Sequence, residues 1–226
     1  MLTNDDGIDA PGIQSLAAAV ASITDAAVAV VAPQSQLSGC GHQVTTYTPI
    51  AYDRRSEIAY AIAGTPADCS RLALTQLFQE ADWVLSGINA GGNLGVDTYI
   101  SGTVAAVREA AILGKRGIAL SHWIKRPLVL DWDLAARRAA RVLKELMAKP
   151  LPAGAFWNVN LPHLEPDTPE PDLVYCPAST APLHMCYRRD DDVFHYDGGY
   201  LTRDRQAGTD VDVCFGGSIA ISQLSL

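Results

Sequence analysis

No lysine or arginine occurs before Arg54. An acidic group in this opening stretch must find its counter-charge elsewhere in the fold or outside the protein. The deficit also holds for the whole chain, where 17 Lys and Arg against 25 Asp and Glu leave a formal charge of −8. Such a balance excludes non-specific nucleic-acid binding and attachment to an anionic membrane surface. It also repels phosphorylated molecules, so a phosphate site would have to be made positive locally. The five cysteines, Cys40, Cys69, Cys176, Cys186 and Cys214, include no Cys-x-x-Cys pair. Their odd number and wide spacing predict reduced thiols in a cytoplasmic protein. No membrane or signal segment is expected. The Ala- and Val-rich stretch Ser15–Ala32 is interrupted by Ser22, Thr24 and Asp25, and its N-terminal flank is acidic. The chain has no internal repeat and no low-complexity tract.

What is present is 226 residues, 48% of them apolar, enough for one large α/β domain or two small ones. The chain is organised around Thr3-Asn4-Asp5-Asp6-Gly7-Ile8-Asp9-Ala10-Pro11-Gly12-Ile13. Neighbouring residues on a regular strand point to opposite faces. Asp5 and Asp6 can converge only where the chain is already turning, and Gly7 permits the turn. Two carboxylates about 4 Å apart repel by roughly 4 kcal/mol at an effective dielectric of ~20. A converging pair therefore needs a proton, a basic partner or a divalent cation. The plainer alternative is a solvated turn that caps the first helix.

The order of elements reads as α/β. Met1–Thr3 ends a short first strand, and Ile13, Leu16, Ala17 and Val20 follow helical spacing behind Pro11. Ala27–Ala32 is a buried strand, which completes a βαβ unit and implies a parallel sheet. Val44–Tyr47 is predicted as a short extended piece and Ile58–Ile62 as a strand. A helix begins at Pro66 behind Thr65 and reaches about Phe78. Trp83–Ser86, Gly117–Ser121 and Phe156–Leu161 are further strands. Helices run from Ser101-Gly102-Thr103 to Gly114 and over Asp133–Met147. The proline-rich stretch Pro162–Pro171 reads as an excursion from the core. Residues 172–226 show no convincing helix; Leu173–Cys176 and Ser218–Ser222 are expected strands of arms that pair with a partner subunit. The core is thus 1–162, a Rossmann-like three-layer α/β/α unit with a mostly parallel sheet. Residues 163–226 form an extension that returns to it.

In an open parallel sheet, ligands bind beyond the C-terminal strand ends. Three polar loops fall there: Asn4–Asp9, Gln34–His42 and Gly87–Gly95. They offer Asp5, Asp6, the Ser38 hydroxyl and the carbonyl of Asn89 or Asn93. Oxygen-only donors suit Mg²⁺, Mn²⁺ or Ca²⁺ rather than zinc or copper. The helix starting at Ser101-Gly102-Thr103 aims free N–H groups and two hydroxyls at the same edge, and such an end binds phosphate without a lysine.

These blocks resemble, in order, those of the SurE (survival protein E) nucleotidases. The blocks are Thr3–Ile8 with Ala10–Ile13, Ser38-Gly39 after Val31-Ala32-Pro33, Gly64–Cys69, Ser86–Gly91 with Asn93-Leu94-Gly95, and Ser101–Ala106. The likeness is close over about residues 2–122, with looser echoes at Trp157–Pro162 and Gly208-Thr209-Asp210. The resemblance implies a metal-dependent phosphatase of nucleoside 5′- and 3′-monophosphates, with one Mg²⁺ or Mn²⁺ per subunit. It implies homodimers or homotetramers joined through C-terminal arms. The metal ligands would be Asp5, Asp6, Ser38 and Asn89. Asn93, Ser101, Gly102 and Thr103 would surround the phosphate, with Asp5, Asp6 and Asn93 counted as catalytic. On that basis Thr103→Ala should weaken substrate use more than metal binding. The chain departs from the family in three places. Few apolar residues precede Asp5, Gln34 and Gln36 stand in a loop that is often basic, and Ser222-Gln223-Leu224 stands near the end of the chain where the family usually has Thr-Pro-Leu.

Other groups are weighed beside these. His42 could protonate a leaving group but reads as a solvated loop histidine, and His122 is a weaker candidate. Asp9 reads as a helix cap. Cys40 has no His–acid arrangement to make it a nucleophile. Tyr187, Tyr196 and Tyr200 could stack on a base but read as interface residues. Two other functions fit the acidic pair, a phosphatase working through an aspartyl-phosphate and a non-catalytic metal- or nucleotide-sensing module.

Overall fold

The computed structural model describes residues 1–165 and 167–226, so Pro166 of the proline-rich stretch lies outside the described residues. The centre is a sheet built by β-branched and apolar runs buried on both faces. It contains β1 (Leu2–Thr3), β2 (Val30–Pro33), β3 (Tyr52–Arg54), β4 (Ala59–Ile62), β5 (Trp83–Ala90), β6 (Arg116–His122), β7 (Ala155–Leu161), β8 (Leu173–Tyr175) and β11 (Ile219–Ser225). Their order is β3-β4-β2-β1-β5-β6-β7-β11-β8. From β4 to β7 every pairing is parallel. At the edges β3 runs antiparallel to β4, and β11 antiparallel to β7. β1 has only two residues, yet it lies between β2 and β5 at the middle of the sheet.

Period-two alternation sends neighbouring residues to opposite layers. Leu85, Ile118, Leu120, Trp157 and Val159 face α1 (Pro11–Ala21) and α4 (Trp132–Met147), meeting Ile13, Leu16, Val142, Leu143 and Leu146. Val84, Ala119 and Phe156 face α2 (Pro66–Leu72) and α3 (Gly102–Ile112), meeting Cys69, Val104 and Val107. The result is a mostly parallel sheet between two helical layers, as the alternating elements imply.

Several local expectations are corrected. Val44–Tyr47 is not a strand: the N–H and hydroxyl of Thr45 both donate to the Asp68 carboxylate, at 2.8 Å, in place of a sheet neighbour. β5 runs on to Ala90 rather than stopping at Ser86, with a register shift between Ser86 and Asn89. Gly87 makes this continuation possible. Its φ is +138°, and a Cβ there would stand 2.2 Å from the Leu120 carbonyl oxygen. The tail does hold a helix, α5 (Asp210–Phe215), whose six residues are too short for a periodic signal. It also divides. β8 and β11 extend the chain's own sheet, whereas β9 (Tyr187–Asp190) and β10 (Val193–Tyr196) form a separate antiparallel hairpin. Leu94, Trp123, Val211, Cys214 and Ala220 cluster where the tail meets the core.

Candidate functional site

The acidic pair follows the C-terminal end of β1, an interior strand between β2 and β5. The Asn4 side chain closes the turn: Nδ2 donates to the Gly7 carbonyl at 2.7 Å, and Oδ1 accepts the Gly7 N–H at 3.2 Å. Gly7 sits at φ +103°. The Asp5 carbonyl accepts the Leu37 N–H and the Pro33 carbonyl accepts that of Ile8, so the loop after β2 is tied to this turn. The reading of these residues as a cap for α1 fails. The N-cap position is Ala10, with no side-chain cap, and Asp9 is exposed beside Arg55.

Asp5 is only 3% exposed. One oxygen, Oδ1, accepts the Thr103 hydroxyl at 2.5 Å. Burial raises its pKa, and the neighbouring Asp6 charge adds to the rise, while the hydroxyl and N–H of Thr103 oppose it. Asp6 is also raised, again chiefly by burial, against weak hydrogen bonds from the Ala90 N–H at 3.3 Å and Gln36 Nε2 at 3.4 Å. Among the described residues neither carboxylate forms an ion pair with Lys, Arg or His.

The other predicted donors gather around this pair. Ser38 Oγ accepts from Gln36 Nε2 at 2.9 Å, which leaves its own proton free. Asn89 spends its Nδ2 on the Gly91 carbonyl at 2.8 Å, which leaves the side-chain oxygen available. Asn93 is more tightly held. Its N–H donates to Asn160 Oδ1, its Nδ2 to Ser121 Oγ, and its carbonyl accepts from Asn158 and Asn160. The two asparagines of β7 therefore clamp the glycine-rich loop. Ser101 caps α3 by accepting the Val104 N–H at 3.1 Å. Asp5, Asp6, Ser38, Asn89, Asn93 and Ser101 all line one cavity of about 580 Å³.

Gly102 and Thr103 are behind that lining. A Cβ on Gly102 would come within 2.8 Å of Asp5 Cβ and 3.1 Å of Asp5 Oδ2, so the helix start packs directly on the carboxylate. Thr103 is fully buried, and its hydroxyl is committed to Asp5 rather than to the cavity.

His42 is not the solvated loop residue expected. Its Nε2 is 2.6 Å from Glu109 Oε2, and Glu109 also accepts from Arg71 Nε at 2.6 Å. His122 is buried, its Nδ1 lies 2.8 Å from the Trp123 carbonyl, and burial lowers its pKa to about 4. The Cys40 thiol is pushed up by burial and by the Asp5 charge, the reverse of what a nucleophile needs.

The rest of the cavity comes from parts of the chain with no local signature. Arg203 reaches across 106 residues to Asp97, Nη1 to Oδ2 at 2.5 Å, and both side chains line the cavity. Tyr200 Oη lies 3.2 Å from the Gly92 carbonyl and from Asp97 Oδ2. Asp210, in the Gly-Thr-Asp echo, accepts the N–H groups of Gly95 at 2.6 Å and Ser179 at 2.8 Å, fastening the tail to the glycine-rich loop. An Asp inside a Gly/Asn loop and an Arg in a tail could be paired only by the fold.

An α/β protein with a loop-built acidic cavity at the C-terminal edge of its parallel sheet is the class these features define. The family model described as survival protein SurE matches residues 1–181, and the chain belongs to that family. A Nostoc sp. protein named as an inferred 5′-nucleotidase is 60% identical over 224 residues, 99% of this chain and 98% of its own length. The 5′-nucleotidase SurE of Xanthomonas axonopodis pv. citri is 43% identical over 165 residues, 73% of this chain and 63% of its own. The crystal structure of the SurE protein from Aquifex aeolicus superposes with a TM-score of 0.82 at 30% identity, covering 99% of this chain and 92% of that one.

Proposed function

We propose that this protein is a divalent-metal-dependent phosphomonoesterase that hydrolyses nucleoside 5′- and 3′-monophosphates to nucleoside and phosphate. One observation carries the reading. A buried and a partly buried carboxylate, without a cationic partner among the described residues, share a cavity with the hydroxyl of Ser38 and the amide of Asn89. Relatives named 5′-nucleotidase SurE give the substrate class. The residues fit a hard cation, since every donor offered is oxygen. Asp5, Asp6, Ser38 and Asn89 would hold one Mg²⁺ or Mn²⁺. That ion would supply positive charge for the phosphoryl oxygens and acidify water.

The chain's own residues do the remainder. The first turn of α3, at Ser101-Gly102-Thr103, presents its positive end to the phosphoryl group. Asn93, locked by Ser121 and the β7 asparagines, offers an amide fixed before substrate arrives. Thr103 holds Asp5 in its rotamer, so that carboxylate is poorly free to attack. In the hydrolysis the bond from phosphorus to the nucleoside oxygen breaks and a bond to a water oxygen forms. The leaving oxygen takes a proton, and no covalent enzyme intermediate forms. In the cell we place the enzyme in the cytoplasm as a homodimer or homotetramer, with the β9–β10 hairpin as the joining arm.

Phosphate release from a nucleotide panel, with chelator or with added Mn²⁺ or Mg²⁺, tests the activity. Chelation should abolish turnover, and Asp6→Asn should lower it at least about 100-fold, since even supporting residues of metal sites cost up to that much. Full turnover in chelator would sink the reading. An acid quench during turnover should trap no phosphoenzyme; a trapped aspartyl-phosphate would favour the covalent route, since water attacking phosphorus labels the released phosphate in either case. Sedimentation at micromolar concentration tests the assembly, and a monomer would count against it.

A further inference from the structure

The cavity lining has two chemical characters. Beside the carboxylates, Ser38 and asparagines it includes Leu183, Met185, Tyr187, Tyr196 and Tyr200. Two of these rings are arranged as a unit. β9 and β10 pair so that Tyr196 stands directly opposite Tyr187. Cross-strand partners share a face of the ribbon. Their centroids are 5.4 Å apart at an interplanar angle of 67°. The opposite face of the ribbon carries Arg188, Asp190 and His195, so the aromatic pair belongs to the cavity side by sequence alternation. Both rings remain more than half exposed, at 59% and 57%.

The turn that follows β10 passes close beneath the second ring: a Cβ on Gly198 would lie 2.2 Å from Tyr196 Oη. That turn is tethered to the glycine-rich loop through Tyr200 and Arg203, which both reach Asp97. The segment after the hairpin is thus fastened to a cavity that Asp5 and Asp6 also line.

We infer that Tyr187 and Tyr196 form a stacking platform for the base of a nucleotide whose phosphate lies at the acidic end. The inference rests on the nucleotidase reading and adds to it the residues that meet the base. Every base has a π-face, so a platform of this kind binds purines and pyrimidines alike and ranks them by stacking area. It makes the enzyme prefer a phosphate carried on a nucleoside to the same phosphate carried on ribose alone.

The test compares a nucleoside 5′-monophosphate with ribose 5-phosphate in the full-length protein, the Tyr187→Ala/Tyr196→Ala double variant and the Tyr187→Phe/Tyr196→Phe double variant. The alanine pair should raise KM for the nucleotide by about 5- to 150-fold, the loss of one stacked base, with kcat little changed. Its loss with ribose 5-phosphate should be at least five times smaller, and the phenylalanine pair should stay close to the parent. Equal losses on both substrates, or no loss on the nucleotide, would overturn the platform. Equal losses accompanied by dissociation of the oligomer would assign the rings to a subunit interface. If the parent protein hydrolyses neither compound, the nucleotidase reading fails, and the platform is then judged by binding alone. Calorimetric affinity for the nucleotide that falls at least fivefold in the alanine pair supports it, and unchanged affinity refutes it.

Discussion

Thr103 offers the sharpest separation between a residue that binds phosphate and one that prepares a carboxylate. Its hydroxyl is fully buried and donates to Asp5 Oδ1 at 2.5 Å. Thr103→Val keeps the shape and removes the donor. A hydrogen bond to a charged group contributes about 1.5–3 kcal/mol. The hydroxyl is also the largest influence opposing the burial that raises the Asp5 pKa, so its loss pushes that pKa further up. Ionised Asp5 then becomes harder to form, and a cation that requires it binds more weakly by about 10- to 150-fold. Titration calorimetry with Mn²⁺ reads this directly. In steady-state assays, activity at limiting Mn²⁺ should fall by a similar factor and recover as Mn²⁺ is raised, with KM for the nucleotide close to the parent value at saturating metal. Unchanged Mn²⁺ affinity together with a raised KM would refute the reasoning and return Thr103 to the phosphate site that the sequence suggests.

Two further outcomes follow from ion pairs. Arg203→Leu leaves Asp97 almost buried without its partner and should cost about 3–5 kcal/mol in denaturant unfolding. The Asp97→Asn/Arg203→Leu double variant should recover part of that loss, and strict additivity of the two single changes would show that the pair is not coupled. Glu109→Gln tests the tie between the Ser38 loop and α3. Burial alone would raise the Glu109 pKa, but the hydrogen bonds and charges of His42 and Arg71 outweigh it and hold it below the usual value. A carboxylate depressed in the folded state contributes stability above its unfolded pKa, near 4.3, and loses it as pH falls through the folded value. The gap between parent and Glu109→Gln should therefore be about 1.5–3 kcal/mol at neutral pH and shrink below about pH 4; a gap independent of pH down to 3 would contradict this origin.

Much of the inner site was legible in sequence, because each of its residues lies at a strand end or helix start whose position local rules define. Asp5 and Asp6 follow a strand and precede a glycine. Asn89 lies close to the C-terminal end of β5, and Ser101 caps a helix. A parallel sheet brings all such ends to one edge, so linear motifs become neighbours without any knowledge of side-chain packing. The helix-and-sheet order was legible for the same reason, since long periodic runs report which face is buried.

Only the tertiary structure decided the rest. The carboxylate of Glu109 gave the loop residue His42 a hydrogen-bond partner, and the buried Thr103 hydroxyl was committed to Asp5 rather than to the cavity. The extension of β5 through Gly87 depended on a close approach to Leu120 in the neighbouring strand. Tyr187, Tyr196, Tyr200 and Arg203 reached the same cavity from the far end of the chain. Periodicity and capping act over a few residues and can be read from a line of letters. Contacts such as Arg203 with Asp97 are set by how separate elements stack, and nothing in either residue's neighbours records its partner.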